Sequence, residues 1–131
     1  MSAVPIFKSV EQVEEVYHHL FKILLSDDEV IAKAKAVDRT LHLILTKPDV
    51  EFFVTPEGVV PGPDGRKEIK VKMSCDTGHV LWTGDLLVPL AVATGKVRIK
   101  GNVAKVLEFV PVLRPAFDVY STIAAEHGIV A

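Results

Sequence analysis

The chain has 131 residues and a formal net charge of -2, with 49% of its residues in the apolar set AVILMFWYC and 24% charged. These values exclude a disordered chain, which needs low hydrophobicity and high net charge, and the length fits one domain over residues 1–131 with a single core. With glycine counted in place of tyrosine the apolar share is about 53%, above the ~45–50% of an ordinary globular protein, so the surplus has to line an interface, a ligand cavity or a membrane-facing patch.

Ser9-Val10-Glu11-Gln12 has the form of a capping box and predicts a helix start. Val13, Val16, Tyr17, Leu20, Phe21 and Leu24 then recur at helical spacing and give that helix one apolar face. Ser26-Asp27-Asp28-Glu29 predicts a second, shorter helix with Val30, Ile31 and Ala34 on its apolar side. The pair reads as a helical hairpin or a broken long helix.

The period changes at residue 40. Thr40 to Thr46 is β-rich, with Leu41, Leu43 and Leu45 on one face, and Val50 to Val54 resumes the pattern after the turn Lys47-Pro48-Asp49. Pro56 to Gly65 reads as a loop holding a short strand at Val59-Val60. Lys67 to Met73 alternates, Ile69, Val71 and Met73 one way and Glu68, Lys70 and Lys72 the other, and Lys96 to Lys100 repeats the alternation. Two strands with basic outer faces imply a sheet wet on one side and covered by helices on the other.

Helix starts are expected between those strands at Asp76 or Thr77 and at Asp85, the second helix carrying Leu86, Leu87, Leu90 and Val92 and ending near Gly95. Asn102 predicts the cap of a helix with Val103, Val106, Leu107 and Val110, which Pro111 ends or kinks. Pro115 suits the first turn of a last helix carrying Phe117, Tyr120, Ile123 and Ala124, with Gly128 after it. The fold class is α+β: a mixed, mostly antiparallel sheet of about five strands with helices on one face.

Reactive chemistry is sparse. The five histidines fall on different predicted elements, and Cys75 and His79 have chelating spacing without the further ligands a metal site needs. No Gly-x-Ser-x-Gly elbow or complete phosphate loop occurs. Cys75, Asp76 and His79 are the sole clustered polar candidates for an enzyme. The expectation is therefore no catalytic residue, no metal and no cofactor. Residues 66–105 hold eight bases against three acids, a net +5, while the remainder carries -7. The basic strands lack aromatics on their polar sides, so nucleic acid is not an expected partner; peripheral contact with an anionic membrane through the basic sheet face is. The longest apolar run, Leu86 to Ala93, falls far short of the ~20 residues that span a bilayer. The single cysteine fits a reducing compartment, with the cytoplasm as the expected location.

Gly95-Lys96-Val97-Arg98-Ile99-Lys100-Gly101-Asn102, preceded by a leucine-rich helix and followed by another apolar one, resembles the sterol carrier protein type 2 lipid-binding domain. That family carries an aspartate where Asn102 stands. The resemblance implies a sheet of about five strands, helices over one face and an apolar tunnel between them that takes a fatty acid, acyl-CoA, sterol or other lipid without catalysis. The expected walls are Trp82, Leu86, Leu90, Phe109, Leu113, Phe117, Tyr120 and Ile123, between the sheet and the C-terminal helices. The alternative function is a structural or dimerisation module holding a partner enzyme that acts on lipid-like substrates. A homodimer or a lipid-metabolising enzyme is then the expected partner besides the small hydrophobic ligand.

Overall fold

Ser9 caps the first helix, α1 (Val10–Leu24), by accepting the Gln12 N–H at 3.1 Å. The reciprocal arm of the box is displaced by one residue: Gln12 Oε1 accepts from the Lys8 N–H at 2.8 Å. A three-residue break follows, and Asp27 rather than Ser26 caps α2 (Asp28–Val37), its Oδ1 accepting the Glu29 and Val30 N–H groups. Asp38 then ends α2 in the left-handed conformation, φ 49°, and turns the chain into the sheet. These are features of a computed structural model that describes residues 7–63, 65 and 67–129. Arg66 of the expected basic stretch, and Asp64 of the loop before it, fall outside the described residues.

The five strands are β1 (Thr40–Thr46), β2 (Val50–Thr55), β3 (Gly58–Val60), β4 (Glu68–Ser74) and β5 (Arg98–Lys100), in the order β3-β2-β1-β4-β5. β1 and β4 are parallel and the other three pairings antiparallel, which is the mixed, mostly antiparallel sheet the α+β reading requires. The parallel register sets Leu41 beside Ile69, Leu43 beside Val71 and Leu45 beside Met73. These six apolar side chains form one continuous inner surface. On the outer surface Lys70 faces Lys100 and Lys72 faces Arg98, all four exposed.

Helix α3 (Cys75–Trp82) begins straight off β4 and is capped by Ser74, whose Oγ accepts the Thr77 N–H at 3.0 Å, so neither Asp76 nor Thr77 is the cap. α4 (Val88–Ala93) is capped by Leu87 and so starts two residues later than a cap at Asp85 predicts, because Pro89 sits in its first turn, where a missing N–H costs nothing. Gly95 follows α4 at φ 81°, a value that glycine reaches without a Cβ penalty. β5 is shorter than the expected Lys96–Lys100: the Val97 N–H donates to the Ala91 carbonyl at 3.1 Å instead of to the sheet. Asn102 caps α5 (Val103–Phe109), a 3-10 turn at Val110–Leu113 absorbs Pro111, and α6 (Arg114–Glu126) has Pro115 in its first turn.

Helix α6 lies against α1, and Gln12 Nε2 donates to the His127 carbonyl at 2.7 Å across that contact. Tyr17, Tyr120, Leu20, Val13 and Val16 are fully buried at the centre of the core. The Tyr17 ring stacks on Phe52 at 5.4 Å and meets Trp82 edge-on at 6.1 Å. Its hydroxyl is buried without a hydrogen-bond partner among the described residues and lies over Gly78, where an added Cβ would fall 2.5 Å from the oxygen. Gly78→Ala is therefore expected to cost about 1–3 kcal/mol by overpacking. Tyr17→Phe should be close to neutral because the oxygen it removes is unsatisfied, and should restore most of what Gly78→Ala loses. Urea unfolding of the two single variants and the double variant checks this; additive losses would show that the hydroxyl is not the obstruction.

Candidate functional site

The helices do not seal the whole inner face of the sheet. A cavity of about 190 Å³ is left there, against the ~10–15 Å³ that one water occupies on the same measure. Its floor is Leu41 and Leu43 of β1, Val54 of β2 and Ile69, Val71 and Met73 of β4. One wall is the end of α1 (Phe21, Leu24) with the apolar stripe Val30, Ala34 and Val37 of α2. The opposite wall is Val106 and Phe109 of α5 with Val110 and Leu113 of the 3-10 turn, and Leu81, Trp82, Leu86 and Val88 close the end. The two walls are strapped together outside by Lys33 of α2 and Glu108 of α5, 3.4 Å apart.

Four of the eight expected wall residues line this cavity: Trp82, Leu86, Phe109 and Leu113. The other four do not. Leu90 points to solvent at 58% exposure, and Tyr120 and Ile123 are core residues that α6 packs inward. Phe117 lies behind Trp82, ring centroids 5.9 Å apart, rather than in the wall. No described residue of α6 lines the cavity. The apolar face of that helix is spent on the core, and the N-terminal helices supply the missing wall. On α2 that wall is the stripe Val30, Ala34 and Val37, of which only Val30 is fully buried.

Two lining residues are charged, Arg39 before β1 and Lys105 of α5. Both are half-buried, which places them at the rim. Arg39 donates through one nitrogen to the Val37 and Asp38 carbonyls at 3.3 and 3.1 Å, and neither it nor Lys105 has a salt bridge among the described residues. No acidic side chain among the described residues lines the cavity. An apolar pocket with cations at its rim can hold an apolar chain and compensate one anionic head.

The clustered polar candidates have other employment. The Cys75 thiol is buried and lies 3.4 Å from the Pro48 carbonyl, and burial pushes its pKa up to about 12, so the nucleophilic thiolate is scarce at neutral pH. His79 Nδ1 is 2.7 Å from the Tyr120 hydroxyl, a contact that ties α3 to α6. Neither residue lines the cavity. No group of three or more His, Cys, Asp or Glu side chains comes together to hold a metal ion among the described residues. On the outer sheet face His42 stacks on Phe53 at 4.3 Å, between Glu51 at 3.0 Å and Glu68 at 3.4 Å.

Burial disfavours the charged form of His79 and lowers its pKa below the usual 6.5. The unfolded chain then takes up a proton that the native protein refuses, so stability falls as pH drops below about 6.5. His79→Gln should remove that part of the pH dependence. Denaturant midpoints across the acid range, wild type against variant, measure it; parallel curves would mean that His79 protonates as readily folded as unfolded.

No family model and no curated protein matches the sequence. Solved structures do match the fold. Sterol Carrier Protein 2 from Yarrowia lipolytica, in its apo form, superposes with a TM-score of 0.65 at 19% identity, covering 85% of this chain and 97% of that one. The sterol carrier protein domain 2 of Helicoverpa armigera gives a TM-score of 0.65 at 17% identity over 85% of this chain and 94% of its own. Palmitated SCP2L2 from Aedes aegypti gives a TM-score of 0.59 at 15% identity over 81% and 95% of the two chains. Sheet order, helix placement and these superpositions agree: the chain has the α+β fold of a sterol carrier protein 2 domain.

Proposed function

We propose that this chain is a single-domain lipid carrier that binds one acyl chain, non-catalytically, in the cavity between the sheet, α1–α2 and α5. The observation that carries this reading is an apolar cavity whose charged lining residues, among those described, are both cations, Arg39 and Lys105. Burying ten methylenes from water gains roughly 8 kcal/mol before ordering costs, the scale of a micromolar dissociation constant. Apolar walls therefore suffice for useful affinity, and the rim cations select an acidic head over a neutral one. A fatty acid fits this chemistry better than a sterol, whose head is an uncharged hydroxyl. The likeness to a palmitated domain supports the same class. The cytoplasm is the proposed location, where the lone thiol of Cys75 would stay reduced.

Trp82, the one tryptophan of the chain, lines the cavity and makes binding visible. Palmitate should saturate a change in Trp82 fluorescence, and mass spectrometry of an organic extract should find fatty acid co-purified. Arg39→Gln and Lys105→Gln are each expected to weaken palmitate about two- to fivefold, as for half-exposed charge pairs, while leaving hexadecanol affinity unchanged. Equal weakening of acid and alcohol would remove the rim cations from head-group recognition. An absence of saturable binding for fatty acid, acyl-CoA and sterol would remove the carrier function itself.

A further inference from the structure

Leu87 and Leu90 are 70% and 58% exposed, more than any other large apolar side chain described. Pro89 between them is exposed as well. Their neighbours do the opposite: Leu86 and Val88 line the cavity. A single short stretch of chain is thus cavity wall on one side and bare apolar surface on the other. No charge interrupts it, since Leu86 to Ala93 are all uncharged.

The size of the patch argues against a second copy as its cover. A few side chains present far less than the ~800 Å² per partner of a stable protein interface. Its electrostatic surroundings favour an anionic surface. The hydrogen bond from the Val97 N–H to the Ala91 carbonyl, 3.1 Å, holds the end of α4 beside the start of β5. Lys96, Arg98 and Lys100 follow directly, all exposed and without a salt bridge among the described residues. Between residues 77 and 107 there are four cations and one acid, Asp85; its carboxylate accepts from the Thr83 hydroxyl at 3.1 Å.

We propose, building on the lipid-cavity reading above, that the Leu87–Leu90 tip seats in the surface of an anionic bilayer with Lys96 and the β5 cations against the head groups. The apolar tip adjoins the cavity end closed by Leu86 and Val88, so a lipid passing there moves between two apolar surroundings with little exposure to water. The docking element is the tip of α4, with the basic sheet edge as its electrostatic flank.

Vesicle flotation tests this, with phosphatidylcholine alone and mixed with phosphatidylserine. The protein should float with the mixed vesicles, less so as salt rises. Leu87→Ser and Leu90→Ser should each weaken that binding about tenfold, the worth of one inserted leucine, and Lys96→Gln should weaken it on mixed vesicles alone. Palmitate titrations of Trp82 in solution should be unaffected by the two serine variants, whose side chains lie outside the cavity. Wild-type flotation that the serine variants match, or no flotation at all, overturns the proposal. A sedimentation coefficient that falls to the monomer value in Leu87→Ser overturns it too, assigning the tip to a second copy. Flotation without palmitate binding would leave the docking tip in place and refute the carrier reading alone.

Discussion

The parallel pairing of β1 with β4 is the constraint on which the other elements depend. Two parallel strands cannot be joined by a tight turn, so the chain between them has to leave the centre of the sheet, form β2 and β3 on one flank, and return. The same pairing lines up Leu41, Leu43 and Leu45 with Ile69, Val71 and Met73. That apolar floor has to be covered, and the covering helices arrive from both ends of the sequence: α1 and α2 before the sheet begins, α3 to α6 after its fourth strand. Because α6 spends its apolar face on α1 and the core, α2 is left to meet the 3-10 turn after α5 above the floor, with Lys33 and Glu108 joining α2 to α5. Their side chains reach the rim without filling the middle. The cavity is the geometric remainder of that arrangement rather than a defect in packing.

Burial divides the molecule into a tight part and a loose part. Around Tyr17 four aromatic rings lie within 6.4 Å, centroid to centroid, and the ring oxygen rests directly over Gly78. On the cavity side α5 and the 3-10 turn bury no residue completely, and an exposed ion pair, Lys33 with Glu108, spans the gap. Interfaces of the second kind open at lower free energy than the core does. The proposed carrier role would use that gradient, since a ligand has to enter without unfolding the scaffold that aligns the walls.

Much of this was legible in the sequence, and the misreadings have physical causes. The strict alternation of Ile69, Val71 and Met73 against Lys70 and Lys72 disclosed the one-sided sheet, because a residue's face in a strand follows from its position alone. Ser9, Asn102, Pro115 and Gly95 marked helix boundaries because caps and first turns obey local rules. Asp85 misled because Pro89 fixes the first turn of α4 more strongly than an acidic cap does. The wall residues were half legible. Trp82, Leu86, Phe109 and Leu113 face the cavity, whereas Phe117, Tyr120 and Ile123 are as apolar and lie elsewhere. Amphipathicity says that a helix has a buried face and is silent on what the face is buried against. The contribution of α2 depended on the sparse burial along that helix, a quantity only the three-dimensional arrangement reveals.

The two ends of the sheet have a consequence for how the protein behaves at high concentration. β3 and β5, the edge strands, are three residues long, too short to template a long ladder with another chain. Along β5 the cations Arg98 and Lys100 already stand opposite Lys72 and Lys70. Like charges facing across a ladder repel, and a further strand of the same sequence would add another row of them. The price of those contacts to the folded molecule is a safeguard outside it: the like charges along its open sheet edge oppose the recruitment of further copies into fibres.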